Sequence, residues 1–280
     1  MGFDKNGYVL HVHDVGKVDP RSLVGSGRVS ELCIAAIYDC EGTQCLMRSE
    51  EAKRGRKLGA VVIIDLSGFS FDVIFHIPAT RIYTTALMLM QDLFPDTAIR
   101  LYVVNAPLAV NVLLHMVKME TLEALEILGS DWKEVLVKRH GAECLPKSCG
   151  GLKSDEILRK GGVVPDLVKA QIKRVHIPAE KLTKVTVGAR EIIAVPIKVQ
   201  KQHSKLSWYF TCSSGDIDFS VVFEEQEVWP RFRISTEFSP EFNEIVCKKP
   251  GTYELLFSNK HGRLWNKHIY YSIEVSEPMN

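Results

Sequence analysis

The stretch Leu58-Gly-Ala-Val-Val-Ile-Ile-Asp-Leu-Ser-Gly68 decides the fold. Val61 to Leu66 is apolar at odd and even positions alike, broken only by Asp65, so it reads as a strand buried on both faces of a helix-covered, largely parallel sheet. Leu101-Tyr-Val-Val-Asn-Ala-Pro107 and Ile127-Leu-Gly-Ser-Asp-Trp132 repeat the pattern of a short apolar run closed by a turn. Upstream, Tyr8-Val-Leu-His-Val-His-Asp14 alternates in character, which predicts a strand with Tyr8, Leu10 and Val12 on one face.

Helical periods fill the gaps between these runs. Apolar residues at 82, 83, 86, 87, 90, 93 and 94 predict a helix over 77–94, ended by Pro95. After Pro107, the segment Leu108 to Lys118 carries only Asn111, His115 and Lys118 as polar residues, so its apolar surface wraps most of a helix. Glu31 through Lys57 keeps a polar–apolar rhythm, and Ile37 to Glu41 is placed on that helix with Gly42 as an irregular spot in it. These segments are rich in Leu and Met and poor in paired acids, bases or nucleophiles. The expected product is a sheet-floored apolar cavity without a catalytic constellation. Leu87-Met-Leu-Met90 reads as plain core or as its lining.

Gly150-Gly151 to Gly161-Gly162 is the best boundary. Beyond it Glu191–Val199, Leu206–Cys212, Ile217–Phe223, Phe232–Phe238, Tyr253–Phe257 and Ile269–Val275 read as short strands, punctuated by Gly215, Pro230, Pro240 and Pro250-Gly251. Strands of that length without intervening helices predict an antiparallel sandwich. The expected organisation is an α/β domain over 1–151, a linker over 152–165 and an all-β sandwich over 166–277.

Composition narrows the function classes. The chain has 280 residues and a formal charge of +1, divided as −2 over 1–151 and +3 over 152–280, so neither half has the field of a nucleic-acid binder. Seven cysteines without a C-x-x-C, and no signal-peptide pattern, fit reduced thiols in the cytosol. No apolar run approaches the ~20 residues of a membrane-crossing helix, so any membrane contact is expected to be peripheral.

Each chemical motif has a bland reading beside it. Ser67 follows a strand, as a hydrolase nucleophile does, but Asp65 and Phe69 stand where that turn needs glycines. Gly25-Ser-Gly-Arg-Val-Ser30 lacks the third glycine of a dinucleotide loop. Asp4-Lys-Asn-Gly7 resembles a calcium-loop fragment, yet Val15 occupies the twelfth position where a Glu is required. His11 and His13 point the same way and could chelate a metal, but no motif places a third ligand near them, so a partly exposed strand face is expected. Lys53-Arg-Gly-Arg-Lys57 is a solvated helix end or a contact for anionic headgroups. No cofactor and no metal are expected.

Several of these pieces, in order and spacing, resemble the CRAL-TRIO lipid-binding family. They are Gly2-Phe-Asp-Lys-Asn-Gly7, Gly55-Arg-Lys-Leu-Gly59 before Val-Val-Ile-Ile-Asp-Leu-Ser-Gly-Phe-Ser70, Leu93-Phe-Pro-Asp96, Val103-Val-Asn-Ala-Pro107, Ile127-Leu-Gly-Ser-Asp-Trp-Lys-Glu134, and Leu145-Pro ahead of Gly150-Gly151. Less specifically, Gly251-Thr-Tyr-Glu-Leu-Leu-Phe-Ser-Asn259 and Tyr270-Tyr-Ser-Ile-Glu-Val275 resemble a GOLD β-sandwich. The resemblance implies a non-enzymatic binder that exchanges one hydrophobic ligand between membranes, with 107–119 as a helical gate. The implied pocket is drawn from Leu66, Phe69, Ser70, Phe71, Tyr83, Leu87, Asp96, Val104, Leu113, Leu114 and Val117. Ser70 and Asp96 are the polar groups near its mouth.

The implied ligand is a phospholipid, a tocopherol-like molecule or another isoprenoid. Members that bind phosphatidylinositol resemble one another in a Glu and a Lys where this chain holds Asp96 and Ala124, which shifts weight to a less charged lipid. Family members usually carry a helical segment ahead of the G-[FY]-D-x-x-G start; here the chain opens at Met1-Gly2, as a truncated product or a pocket domain without that brace. A cytoplasmic protein is implied, visiting membranes transiently. The alternative is an interaction module whose GOLD-like sandwich recruits a protein partner at Golgi or vesicle membranes.

Overall fold

In the computed structural model, Gly2–Phe3 (β1), Val9–His13 (β2), Ala60–Asp65 (β3), Ala98–Val104 (β4) and Leu125–Ile127 (β5) form one sheet in the order β1-β2-β3-β4-β5. The structure describes residues 2–69, 77–107, 124–158, 162–171 and 175–278. β1 pairs antiparallel with β2, while β2–β3, β3–β4 and β4–β5 are all parallel. Among the described residues the α-helices are Pro20–Val24 (α1), Val29–Arg54 (α2), Ile77–Leu93 (α3), Trp132–His140 (α4) and Asp166–Gln171 (α5). Ile37 to Gly42 lies inside the 26-residue α2, as the helical rhythm predicts.

Local chemistry accounts for the ends of α2. Glu31 reaches back to accept from the backbone N–H of Arg28 at 3.0 Å, the reciprocal half of a capping box. At the other end Gly55, at φ +66°, donates its N–H to the Glu51 carbonyl at 2.8 Å and closes the helix in the left-handed conformation that glycine adopts without strain. Lys53 and Arg54 both bind Glu50, at 3.2 and 2.7 Å, so half of the Lys53–Lys57 basic cluster is already paired within the helix end.

Asp4 explains the Gly2–Gly7 start. Its Oδ1 accepts from the backbone N–H of Asn6 and of Tyr8, each at 2.8 Å, and holds the β1–β2 turn closed. Its Oδ2 lies 2.8 Å from Nδ1 of His140, whose Nε2 lies 3.3 Å from the Tyr102 hydroxyl. Burial alone would raise the Asp4 pKa. The hydrogen bonds from His140, Tyr8 and Asn6 outweigh it and hold the carboxyl below its ordinary value. The calcium-like fragment is thus a buried polar staple joining β1–β2 to α4.

The remaining strands make two antiparallel four-stranded sheets. Asp216–Phe223 (β9) and Gln226–Ser235 (β10) join Gly251–Ser258 (β12) and Ile192–Val199 (β7) in the order β10-β9-β12-β7. Lys205–Cys212 (β8), Glu241–Val246 (β11), Lys267–Ser276 (β13) and Thr183–Val187 (β6) form the order β11-β8-β13-β6. Phe210, Phe219 and Phe257 meet at ring centroids 4.8 to 5.2 Å apart, and all three are fully buried. The expected sandwich is present, with two strands that hydropathy did not single out, β6 and β11. Both border their sheet and carry polar residues such as Thr183, Lys184, Asn243 and Glu244. β10 also begins earlier than expected, because the ladder passes Pro230 through register shifts between Glu227 and Phe232.

Two compact units result. One holds 1–23, 35–76 and 87–164, and the other holds 24–34, 77–86 and 165–280. Within the second unit, Glu241 on β11 is 1% exposed; its Oε1 accepts from Ser30 Oγ at 2.7 Å, and its Oε2 has no partner among the described residues. Desolvation by burial pushes its pKa up to about 7, against the opposing pull of Ser30 and Arg28. A carboxyl raised in the folded state stabilises the fold fully below its unfolded pKa of 4.5 and loses that contribution as pH climbs to about 7. Glu241→Gln, which cannot ionise, therefore gains on the parent chain by about 2–3 kcal/mol between pH 5 and pH 8. Denaturant unfolding of both proteins at the two pH values measures that difference; a pH-independent difference would refute it.

Candidate functional site

The parallel register sorts every side chain of the first unit's sheet onto one of two faces. Leu10, Val61, Ile63, Tyr102 and Val104 share the face packed against Trp132 and Leu136 of α4 and against Leu145 and Cys149. That face is closed: Val61, Ile63, Leu136 and Val104 are all at 0% exposure. The opposite face carries Val9, His11, His13, Ala60, Val62, Ile64, Leu101, Val103, Leu125 and Ile127 by the same register. α2 covers its β2 side, where Met47 packs on Val9 and Ala60. Farther across, Val62, Ile64, Leu101, Leu125 and Ile127 remain only half-buried.

Half-burial of five aliphatic side chains on one sheet face is unusual, because apolar strand residues normally close against a covering layer. Exposed apolar groups occur on α3 as well: Leu87, Met88 and Leu93 each expose more than half of their surface. Together they give the first unit a set of incompletely buried apolar side chains.

The residues expected to line a pocket are distributed as follows. Leu66 is buried and Phe69 half-buried at the carboxyl end of β3, where the Phe69 N–H bonds the Leu66 carbonyl at 3.0 Å. Leu87 lies exposed on α3, and Asp96 lies exposed in the turn before β4. Val104 sits on the closed α4 face, in the packed cluster. Ser70, Phe71, Leu113, Leu114, Val117 and the expected gate beyond Pro107 lie outside the described residues, as does the side chain of Tyr83. Ser67 belongs to a turn in which Asp65 Oδ1 accepts from its N–H at 2.8 Å and from Asn105 Nδ2 at 2.8 Å, a structural arrangement.

Sequence reading missed Val62, Ile64 and Leu101. β3 and β4 are apolar at both parities, so hydropathy could not say which parity stays open. The parity of His11 and His13 was the available signal, since both lie on that face.

The histidines lie on the partly exposed strand face expected of them, His11 at 7% exposure under α2 and His13 exposed; what needs correcting is the third ligand, since Asp39 on α2 brings a carboxylate to the pair. The two rings stack with centroids 5.7 Å apart, and Thr43 Oγ1 lies 2.8 Å from His11 Nε2. Burial first, and the neighbouring His13 ring next, push the His11 pKa down to about 4; the protein packed around His13 lowers its pKa too, although that side chain keeps an accessible edge.

With this geometry in place, comparison with known proteins gives the class and then the family. An α/β sheet domain with an apolar face and a following β-sandwich is the class. Residues 1–151 match the CRAL/TRIO domain, and the chain belongs to that family, whose members are generally lipid-binding and lipid-transfer proteins. The chain is 21% identical over 263 residues to the CRAL-TRIO domain-containing protein F28H7.8 of Caenorhabditis elegans, covering 89% of this chain and 64% of that one. It is 25% identical over 157 residues to the Sec14 cytosolic factor of Schizosaccharomyces pombe, covering 53% of each. A further match, 25% over 122 residues, is to human FYVE and coiled-coil domain-containing protein 1, covering 38% of this chain and 8% of that one. The chain thus spans less than two thirds of the length of these relatives.

The two sheet faces make contrary demands on the same substitution. Val104→Ala removes two methyl groups from a closed cluster and costs about 2–3 kcal/mol, whereas Val62→Ala on the half-open face costs at most about 1 kcal/mol. Paired thermal or chemical unfolding distinguishes them; equal costs would mean that the two faces are equally packed.

Proposed function

We propose that this chain binds one hydrophobic lipid against the half-open face of its parallel sheet and exchanges it between membranes. The observation that carries the reading is the inequality of the two faces: Val61, Ile63 and Val104 are fully closed toward α4, whereas on the other side Val62, Ile64, Leu101, Leu125 and Ile127 are half-buried beside a buried Val103. Family membership supports it, and so does the apolar surface of α3. Each methylene taken from water gains about 0.8 kcal/mol, so an acyl or isoprenoid chain supplies ample affinity without any catalytic group. Asp96 and Ala124, at the positions that carry a Glu and a Lys in inositol-lipid binders, favour a ligand with little headgroup charge. No helix among the described residues is long and apolar enough to cross a membrane.

The test is transfer of fluorescent lipid between vesicles by the full chain, with native mass spectrometry of protein recovered from cells. Leu101→Trp fills the open face and lowers transfer about tenfold while the fold persists. A parent chain that moves no lipid and carries no hydrophobic molecule discards the proposal.

A second reading is favoured by one surface feature. Leu264 and Trp265, adjacent between β12 and β13, are 81% and 77% exposed, and cationic Lys260, Arg263 and Lys267 flank them. Asn259 Nδ2 donates to the carbonyls of Gly188 at 3.0 Å and Trp265 at 2.9 Å and so ties this loop to the sandwich. Such a tip suits a GOLD-type module that recruits a protein partner at Golgi or vesicle membranes. Replacing both residues by Ser abolishes that recruitment and spares lipid transfer, whereas Leu101→Trp does the reverse. Co-sedimentation with cell membranes before and after protease treatment separates the two, and identical recovery of all three proteins would remove this second reading.

A further inference from the structure

The geometry points to a divalent metal site formed by His11 and His13 of β2 with Asp39 of α2, and we propose that it takes Zn(II). Side chains two apart on a strand project from the same face, which makes His-x-His a natural pair of nitrogen donors. The third donor comes from a helix that packs across that strand. One donor atom from each of the three side chains lies within 4.8 Å of the other two. Tetrahedral zinc with bonds of ~2.1 Å sets its donors roughly 3.4 Å apart, so side-chain rotation of roughly 1.5 Å at most completes the cluster.

Thr43 supplies the outer support that metal-binding histidines usually have. Its hydroxyl donates its single proton to the Asp39 carbonyl at 2.9 Å, so toward His11 Nε2, 2.8 Å away, it acts as acceptor. His11 is thereby held as the Nε2–H tautomer with a lone pair on Nδ1, and its ring is fixed in orientation by the residue one turn after the third ligand. Coordination requires both rings in the neutral form, so metal binding competes with protons. His13 and Asp39 are exposed, so an ion can enter from solvent.

The donor set selects the ion. Two imidazole nitrogens and one carboxylate oxygen suit zinc and its first-row neighbours, while the all-oxygen preference of calcium and magnesium does not fit. Three protein ligands leave a fourth position for water or for a polar group of a bound molecule. Across β2 and β3, His11 pairs with Val62 and His13 with Ile64, so the site borders the half-open apolar face. The site does not depend on what that face binds.

Titration of the chelator-treated, reduced full chain with Zn(II), and with Co(II) as a coloured probe, tests the site in the absence of lipid. One ion per chain is expected, with cobalt showing the visible bands of nitrogen and oxygen ligation and no thiolate charge-transfer band. His13→Ala and Asp39→Ala, both at exposed positions, each weaken binding by at least ~100-fold with unfolding unchanged, and Thr43→Val weakens it ~10-fold through the ring it orients. All seven cysteines are free and compete for the same ions. A thiolate band, or undiminished one-to-one binding in the folded His13→Ala/Asp39→Ala double variant, overturns the assignment, as does the absence of binding by the parent chain at micromolar metal.

Discussion

The parallel hydrogen bonding of β2, β3 and β4 is the constraint on which the first unit depends. Its register fixes the face of every strand residue, because side chains alternate with period two. Val61, Ile63, Tyr102 and Val104 are committed to α4, and Val62, Ile64 and Leu101 to the other side, with no freedom to exchange. A slip of one residue would bury the histidines under α4 and turn the closed core outward. The Asp4–His140–Tyr102 staple secures this arrangement, since it ties the first turn of the chain to the end of α4 and to a residue of β4.

The two faces of one sheet differ in how completely their apolar side chains are buried. Close packing against α4 supplies the dispersion and hydrophobic contributions that hold the unit together. On the opposite face Val62, Ile64, Leu101, Leu125 and Ile127 stay half-buried, and it is there that the proposed lipid would gain contact. A lipid held there, as proposed, would need no catalytic group, in accord with the family's general role in binding and transfer. The sandwich contributes a different surface, where an apolar tip among cations projects from an anchored loop.

Much of this was legible in the chain. The strands over 61–66 and 101–104, the helix over 77–94 and the sandwich all follow from hydropathy period and from Gly and Pro punctuation, which are local properties. The edge strands β6 and β11 were not legible, because an edge strand with polar residues lacks the alternation that marks a half-buried one. Val104 shows a subtler limit. Its burial was plain from the sequence, but nothing in an apolar-on-both-faces strand tells which of two covering layers it meets.

By itself, then, the sequence determined most of the strands and helices, and that the first sheet is largely parallel while the later strands form a sandwich. Tertiary structure alone decided that Asp39 comes near His11 and His13, that Ser30 meets Glu241 across 211 positions, and which side chains of the sheet stay half-buried. The physical reason is that patterning reports each residue's own exposure, an average over whatever lies nearby. The identity of a neighbour far away in the chain depends on helix packing and strand order, which no local period encodes.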